Sequence, residues 1–195
     1  MEAEAKRPIT LYTEENPNPN SLKFVANTML MPAGVSRDYP DLASAEEAPL
    51  ATKIFNEFSF VTRVFYMSNF VTVTKDDETD WFEVKAKVQS LIREHLVDGG
   101  ALLTEEITQE DHAVTDDDTD IEVKIKGILD EYIRPAVEMD GGAISFHSFD
   151  EGKVTVTLQG SCSGCPSSTV TLKAGIENLL KRMVPEVTEV EAEEL

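Results

Sequence analysis

The stretch GSCSGCPSS at residues 160–168 carries both cysteines of the 195-residue chain, Cys162 and Cys165. Gly160 and Gly164 flank them, Pro166 follows directly, and Ser167, Ser168 and Thr169 come next. A strand-like run ends before the pair and a helical pattern starts after it. Cys165 therefore falls at or just before a helix N-terminus, where the helix dipole and unpaired N–H groups favour thiolate over thiol. The glycines clear side-chain bulk from around the sulfurs. Proline suits a first helical turn, because its missing N–H costs nothing there. Three chemistries fit such a pair: half of a four-ligand metal or cluster set, dithiol–disulfide exchange, or two inert thiols in a turn.

Zinc and iron–sulfur clusters usually take four ligands, and this chain offers two sulfurs and three histidines. His95 sits on an apolar helical stripe, where packing is expected. His112 lies in an acidic stretch without partner spacing. His147 alternates with Ile144 and Phe146 in a strand and is expected to face the opposite side. None stands at zinc spacing from the cysteines. The simplest completion is a second copy of the chain, with two CxxC loops meeting across a two-fold axis. Such a dimer is held largely by the metal and parts when the cluster leaves, and a cluster so exposed can be handed on. A CxxC thiol–disulfide oxidoreductase remains the alternative, although thioredoxin-like enzymes place the motif after a βαβ start and here a hairpin precedes it. A zinc-stabilised interaction module is the third reading, short of ligands.

Two folded pieces must position this loop. In the first, Thr10–Thr13 and Ser21–Val25 read as strands around an Asn-Pro turn cluster, and residues 45–55 read as a helix. Val61–Tyr66 and Phe70–Thr74 form a hairpin across Ser68-Asn69. Trp81, Val84, Val88, Leu91, Ile92 and His95 then make one helical stripe, with Asp80 and Glu83 as a capping box and Gly99-Gly100 as its stop. That helix is expected to cover one face of a small antiparallel sheet. In the second piece Thr119 and Glu122 form another capping box. Ile121, Ile125, Ile128, Leu129 and Ile133 follow at helical spacing, Pro135 kinks or ends the helix, and Asp140-Gly141-Gly142 closes it. Ala143–Phe149 and Lys153–Leu158 form a hairpin across 150–152. Beyond the cysteines, Leu172, Ile176, Leu179, Leu180 and Met183 make a helix halted at Pro185, and Val187–Val190 adds a short strand. The fold class is α+β: two small two-layer α/β-sandwich domains joined by an acidic flexible linker. The C-terminal one has the order α-β-β-α-β, with the CxxC loop before its second helix. The domain boundaries are 1–97, a linker at 98–119, 120–190, and an acidic tail at 191–195.

The net charge of −20 is unevenly spread: residues 98–120 hold nine acids and no base, and residues 185–195 hold five more acids. Such runs read as solvated spacers. No basic stripe is available to displace counterions from phosphates, so nucleic acid is not expected as a partner. No charge-free run approaches the roughly 18 residues of a membrane span, so no membrane partner is expected either. MEAEAKRP has neither a secretory apolar core nor transit-peptide character, which reads as cytoplasmic. A phosphate-binding glycine loop is absent from the sequence.

Residues 129–187 resemble the C-terminal iron–sulfur domain of the NifU (Nfu-type) family. They carry its RP at 134–135, DGG at 140–142, LQG-x-C-x-x-C-P-S-S at 158–168 and KxGIE at 173–177. Residues 10–97, with NPNPNSLKF at 16–24, are similar to the N-terminal domain found in many Nfu proteins. The resemblance implies a carrier, not an enzyme, that binds a [4Fe-4S] cluster between two chains of a homodimer, with [2Fe-2S] as the other option. It implies Cys162 and Cys165 as the ligands, an upstream cluster scaffold as donor and apo iron–sulfur proteins as clients. Full-length NifU proteins carry further cysteine-bearing domains that this chain lacks, so late delivery fits better than primary assembly. The N-terminal piece has no cysteine and is expected to recognise clients. Asp140, Gly141 and Gly142 are expected either to approach the cluster loop or only to terminate a helix.

Overall fold

A computed structural model describes residues 8–104, 118–163 and 166–194. The N-terminal unit contains strands β1 (Leu11–Glu15), β2 (Ser21–Ala26) and β3 (Ser36–Tyr39), helix α1 (Pro49–Glu57), strands β4 (Val61–Met67) and β5 (Phe70–Lys75), and helix α2 (Trp81–Val97). Its antiparallel sheet has the order β1-β2-β5-β4-β3. The Ser68-Asn69 reversal is tight because Ser68 adopts a φ of 48° and Asn69 is tied to both backbone groups of Ala26. The helix expected at 45–55 starts later, at Pro49, whose ring suits the first helical turn. The expectation missed β3, because SRDY shows no alternation; only Tyr39 is buried there.

One sheet face packs on α1 and α2. Leu22, Phe24, Val64, Tyr66, Val71 and Val73 point into that core with Leu50, Ile54, Val88 and Ile92. The other face is buried too. Lys23, Val25, Phe65, Met67, Phe70 and Thr72 are all below a tenth exposed, and what covers them is the C-terminal unit. Val25, Phe65, Met67 and Phe70 cluster with Ala143 across that boundary. A sheet buried on both faces explains why β4 and β5 read as near-continuous apolar runs.

In the C-terminal unit, α3 (Asp120–Ile128) opens on the complete Thr119/Glu122 capping box. The helix does not stop at Pro135. It widens into one π-helical turn, Leu129–Ile133, and resumes as α4 (Arg134–Met139), with the Arg134 N–H reaching back to the Leu129 carbonyl. Proline has no N–H to give and crowds the carbonyl one turn back, and the wider turn absorbs both defects. Strands β6 (Gly142–Asp150) and β7 (Lys153–Gly160) pair antiparallel through a two-residue turn with Glu151 at φ 45° and Gly152 at φ 90°. A bulge between Phe146 and Ser148 leaves His147 exposed while both Phe146 and Phe149 lean on the core. Helix α5 (Pro166–Met183) crosses over to β8 (Glu189–Glu194), which pairs parallel to β7.

The expected tail at 191–195 is corrected up to residue 194, because those residues are strand. Val190 is buried and Ala192 packs on the core, while Glu189, Glu191 and Glu193 alternate outward and Glu191 holds Lys153 at 2.6 Å. The linker expected at 98–119 lies largely outside the described residues.

Candidate functional site

The thiol loop leaves the end of β7, beside the start of β6, and leads into α5. Gly160 ends β7 at a φ of 66°, and Ser161 and Ser163 fold the chain back. The Ser161 N–H donates to the Gly141 carbonyl at 3.3 Å and the Ser163 N–H to the Gly160 carbonyl at 3.2 Å. The Ser163 hydroxyl donates to the Leu158 carbonyl at 2.8 Å, and the Ser161 hydroxyl to that of Asp140. The serines thereby satisfy backbone acceptors that a sharp turn exposes. Cys162 lies between them, 7% exposed and packed with the C-terminal core. Cys165 falls outside the described residues; in sequence it directly precedes Pro166, the first residue of α5.

The DGG triplet does both of the things considered for it. Gly141, at φ 81°, ends α4, its N–H donating to the Glu138 carbonyl at 3.0 Å. Gly142 makes room for the sulfur. A Cβ there would stand 2.9 Å from Cys162 Sγ and 2.6 Å from the Gln159 carbonyl oxygen.

The N-terminal unit reaches the same few residues. Asn18 Nδ2 donates to the Ser161 carbonyl at 3.0 Å, Thr72 Oγ1 to that of Gly141 at 2.8 Å, and Lys23 Nζ to that of Met139 at 3.2 Å. Ser36 Oγ donates to Gln159 Oε1 at 2.9 Å. The Phe65 ring lies against Gly160, 2.8 Å from where a Cβ would stand. Pro17 and Asn18 also form a wall of a cavity of about 450 Å³, whose other lining includes Val137, Asp140, Cys162 and Leu172. Asn18, Lys23 and Thr72 were missed from the sequence as site residues. The signal was present: a lysine and a threonine inside strands rich in apolar residues, and an asparagine repeated in NPNPN.

Electrostatics follow from this burial. Desolvation pushes the carboxyls of Asp140 and Glu138 up. Lys23 pulls both back, and Arg134 acts with it on Glu138. Asp38, paired with Arg63 and with its side chain 1% exposed, is raised to about 6 by burial, against the pull of Arg63 and of the Gly160 and Tyr39 N–H groups. A carboxyl raised in the fold favours the folded state while protonated. Its contribution is fully present below about pH 4 and is lost as pH rises to about 6. At about 1.4 kcal/mol per unit this amounts to roughly 2–3 kcal/mol. Chemical denaturation of the protein and of Asp38→Asn across pH 4–7 checks it: the difference between the two changes through that window and levels off above it.

The histidines do not join the thiol. His95 is only half-buried, not core: its ring stacks over Gly100, and Nε2 lies 2.9 Å from the Ala101 carbonyl oxygen, finishing α2. His147 is exposed, and His112 lies outside the described residues. Among the described residues no three His, Cys, Asp or Glu side chains converge as a metal site, and no helix is long and apolar enough to cross a membrane.

Two protein families match the chain in tandem: "Scaffold protein Nfu/NifU N terminal" over residues 11–99 and "NifU-like domain" over 125–191. Among curated relatives, the mitochondrial NFU1 iron-sulfur cluster scaffold homolog of Drosophila willistoni is 40% identical over 95% of this chain, which spans 64% of that protein's length. The mitochondrial NifU-like protein 5 of Arabidopsis thaliana is 42% identical over 97% of this chain and 70% of its own length. A solution structure of a NifU-like protein from Saccharomyces cerevisiae aligns with a TM-score of 0.45 at 22% identity, covering 54% of this chain and 93% of that one. The cytoplasmic expectation is thereby corrected: the relatives are named mitochondrial, which points to mitochondria. That expectation rested on the first eight residues, which lie outside the stretches that the two family models match.

Proposed function

The chain belongs to the Nfu/NifU-like family of iron–sulfur scaffold proteins, and on that footing we propose that it carries a [4Fe-4S] cluster between two copies of itself and delivers it to apo-proteins. The cluster is cargo, so the protein acts by binding and release and not as an enzyme. Cys162 and Cys165 are its ligands from each chain. The observation that carries this reading is the incomplete ligand set: the described surroundings of Cys162 supply hydroxyls and backbone groups but no third soft donor. Soft thiolates are what an iron–sulfur cluster selects, so a partner chain supplies the other two.

The N-terminal unit, residues 1–97, brings no thiol and therefore acts in protein recognition, with apo iron–sulfur proteins as its expected partners. The C-terminal unit, residues 120–190, holds the cargo. Anaerobic reconstitution with iron and sulfide, followed by metal analysis and light scattering, tests the carrier reading. The expected result is about four irons and four sulfides per two chains, with the loaded species at twice the mass of the chain. A loaded monomer would overturn it, as would a colourless protein that retains zinc. The rival dithiol exchange would show as turnover of a disulfide substrate by the iron-free protein.

A further inference from the structure

We propose that the outer face of the five-stranded sheet is an in-chain docking surface for the cysteine loop, which it covers until two chains share a cluster. The inference rests on the shared-cluster reading and adds a partner for that face: the Asp140–Gly142 turn and the Gly160–Ser161 corner of the same polypeptide.

Position is the first argument. The inter-unit hydrogen bonds from Asn18, Lys23, Ser36 and Thr72 all end on residues 138–141 and 159–161. These are the two segments that flank Cys162. Among the described residues, the rest of the C-terminal unit, including the turn at 150–152, takes no hydrogen bond from these four side chains. A general packing contact would spread over the sheet; this one reads the backbone of the thiol loop.

Chemistry is the second. The face presents donors to carbonyls that a helix end and a glycine turn leave exposed, and it presents a ring to Gly160, where only a missing side chain lets it approach. Val25, Met67 and Phe70 surround the small Ala143. The surface therefore fits a glycine-rich turn with outward carbonyls, which is the fixed geometry of this loop.

Access is the third. A cluster bridging two chains requires Cys162 to be presented outward, yet the thiol is 7% exposed and Pro17–Asn18 walls the cavity that it lines. Contacts of this kind, a few hydrogen bonds, those of Lys23 from a charged donor, and a modest apolar patch within one chain, are the sort that open and close.

The test is thiol access in the full-length, iron-free protein. In a Cys165→Ser background, Cys162 is the sole thiol, and its alkylation by iodoacetamide is followed by mass spectrometry. Combining Lys23→Glu with Thr72→Val, or introducing Asn18→Ala alone, is expected to speed labelling at least tenfold in chains that keep the wild-type far-UV circular dichroism. Unchanged rates in both variants overturn the proposal, since the thiol would then be buried by its own unit. A second measurement uses the unaltered chain: carbodiimide is expected to link Lys23 to Asp140 or Glu138 in the iron-free protein, and the link is expected to vanish after anaerobic loading. A link that persists in the loaded dimer overturns the proposal as well. The labelling experiment needs no cluster, so its failure is separate from a failure of the carrier reading, which would show as absent iron.

Discussion

Cys162→Ser is expected to empty the protein of iron and leave it monomeric after reconstitution, and Cys165→Ser is expected to do the same. An alcohol oxygen is a hard, weakly acidic donor, whereas cluster iron selects thiolate. Losing one ligand per chain removes two of the four that a shared cluster needs. The dimer is expected to go with it, because in the proposed carrier the shared cargo holds the chains together. Iron and sulfide analysis with size-exclusion light scattering reads both losses at once. The fold should survive: Cys162 packs at the edge of the C-terminal core, and burying a hydroxyl there costs about 1–3 kcal/mol. A Cys162→Ala control separates that cost from ligand loss. Retention of a full cluster by either serine variant would remove the cysteine pair from the account.

Gly142→Ala is expected to damage the same site without touching a sulfur. The added methyl would sit 2.6 Å from the Gln159 carbonyl oxygen and 2.9 Å from Cys162 Sγ. The first neighbour is backbone in β7, the central strand of its sheet, and has little freedom to yield. Overpacking of this kind costs about 1–3 kcal/mol, measured as a lower denaturant midpoint at unchanged slope. The second neighbour is the sulfur of Cys162, the proposed ligand, so the thiol must turn or the loop must shift. Cluster binding should therefore fall further than the stability loss alone would cause. The comparison is with a variant of similar stability elsewhere in the unit: Val190→Ala removes buried bulk from β8, away from the loop. Equal iron content in those two variants would mean that Gly142 serves the fold alone.

Much of this architecture could be read from residue patterns. The Thr119/Glu122 capping box, the Ser68-Asn69 reversal and the α5 stripe rest on local chemistry, and they appear where local chemistry puts them. What the patterns concealed depends on neighbours distant in the chain. Val25, Phe65 and Phe70 look like ordinary strand residues until the second unit is laid on them, 70 or more residues away in sequence. His95 shares the helical phase of Leu91 and Ile92, but Gly100 folds back against its ring and holds it at the helix end. Strand β3 is too polar to show itself, because its ordering comes from pairing with β4. Glutamates at 189, 191 and 193 resemble a solvated run by composition alone, although their spacing of two is the mark of a strand. In the site, Cys162 was legible from its glycine-rich setting, whereas Asn18, Lys23 and Thr72 act from another unit.

The parallel pairing of β8 with β7 also bears on how the molecule is made. Antiparallel hairpins such as β6–β7 close early through a tight turn, but β7 gains its second neighbour only after α5 has crossed over and residues 189–194 are available. In a chain that emerges N-terminus first, the thiol loop therefore appears well before its sheet can be completed, with one edge of β7 unpaired and its cysteines within reach of oxidants. The N-terminal unit, whose last helix ends at Val97, can finish folding first. An emerging chain thus has a finished sheet face waiting when the loop appears, and that face can shelter the Cys162 sulfur while the slow, long-range strand addition takes place.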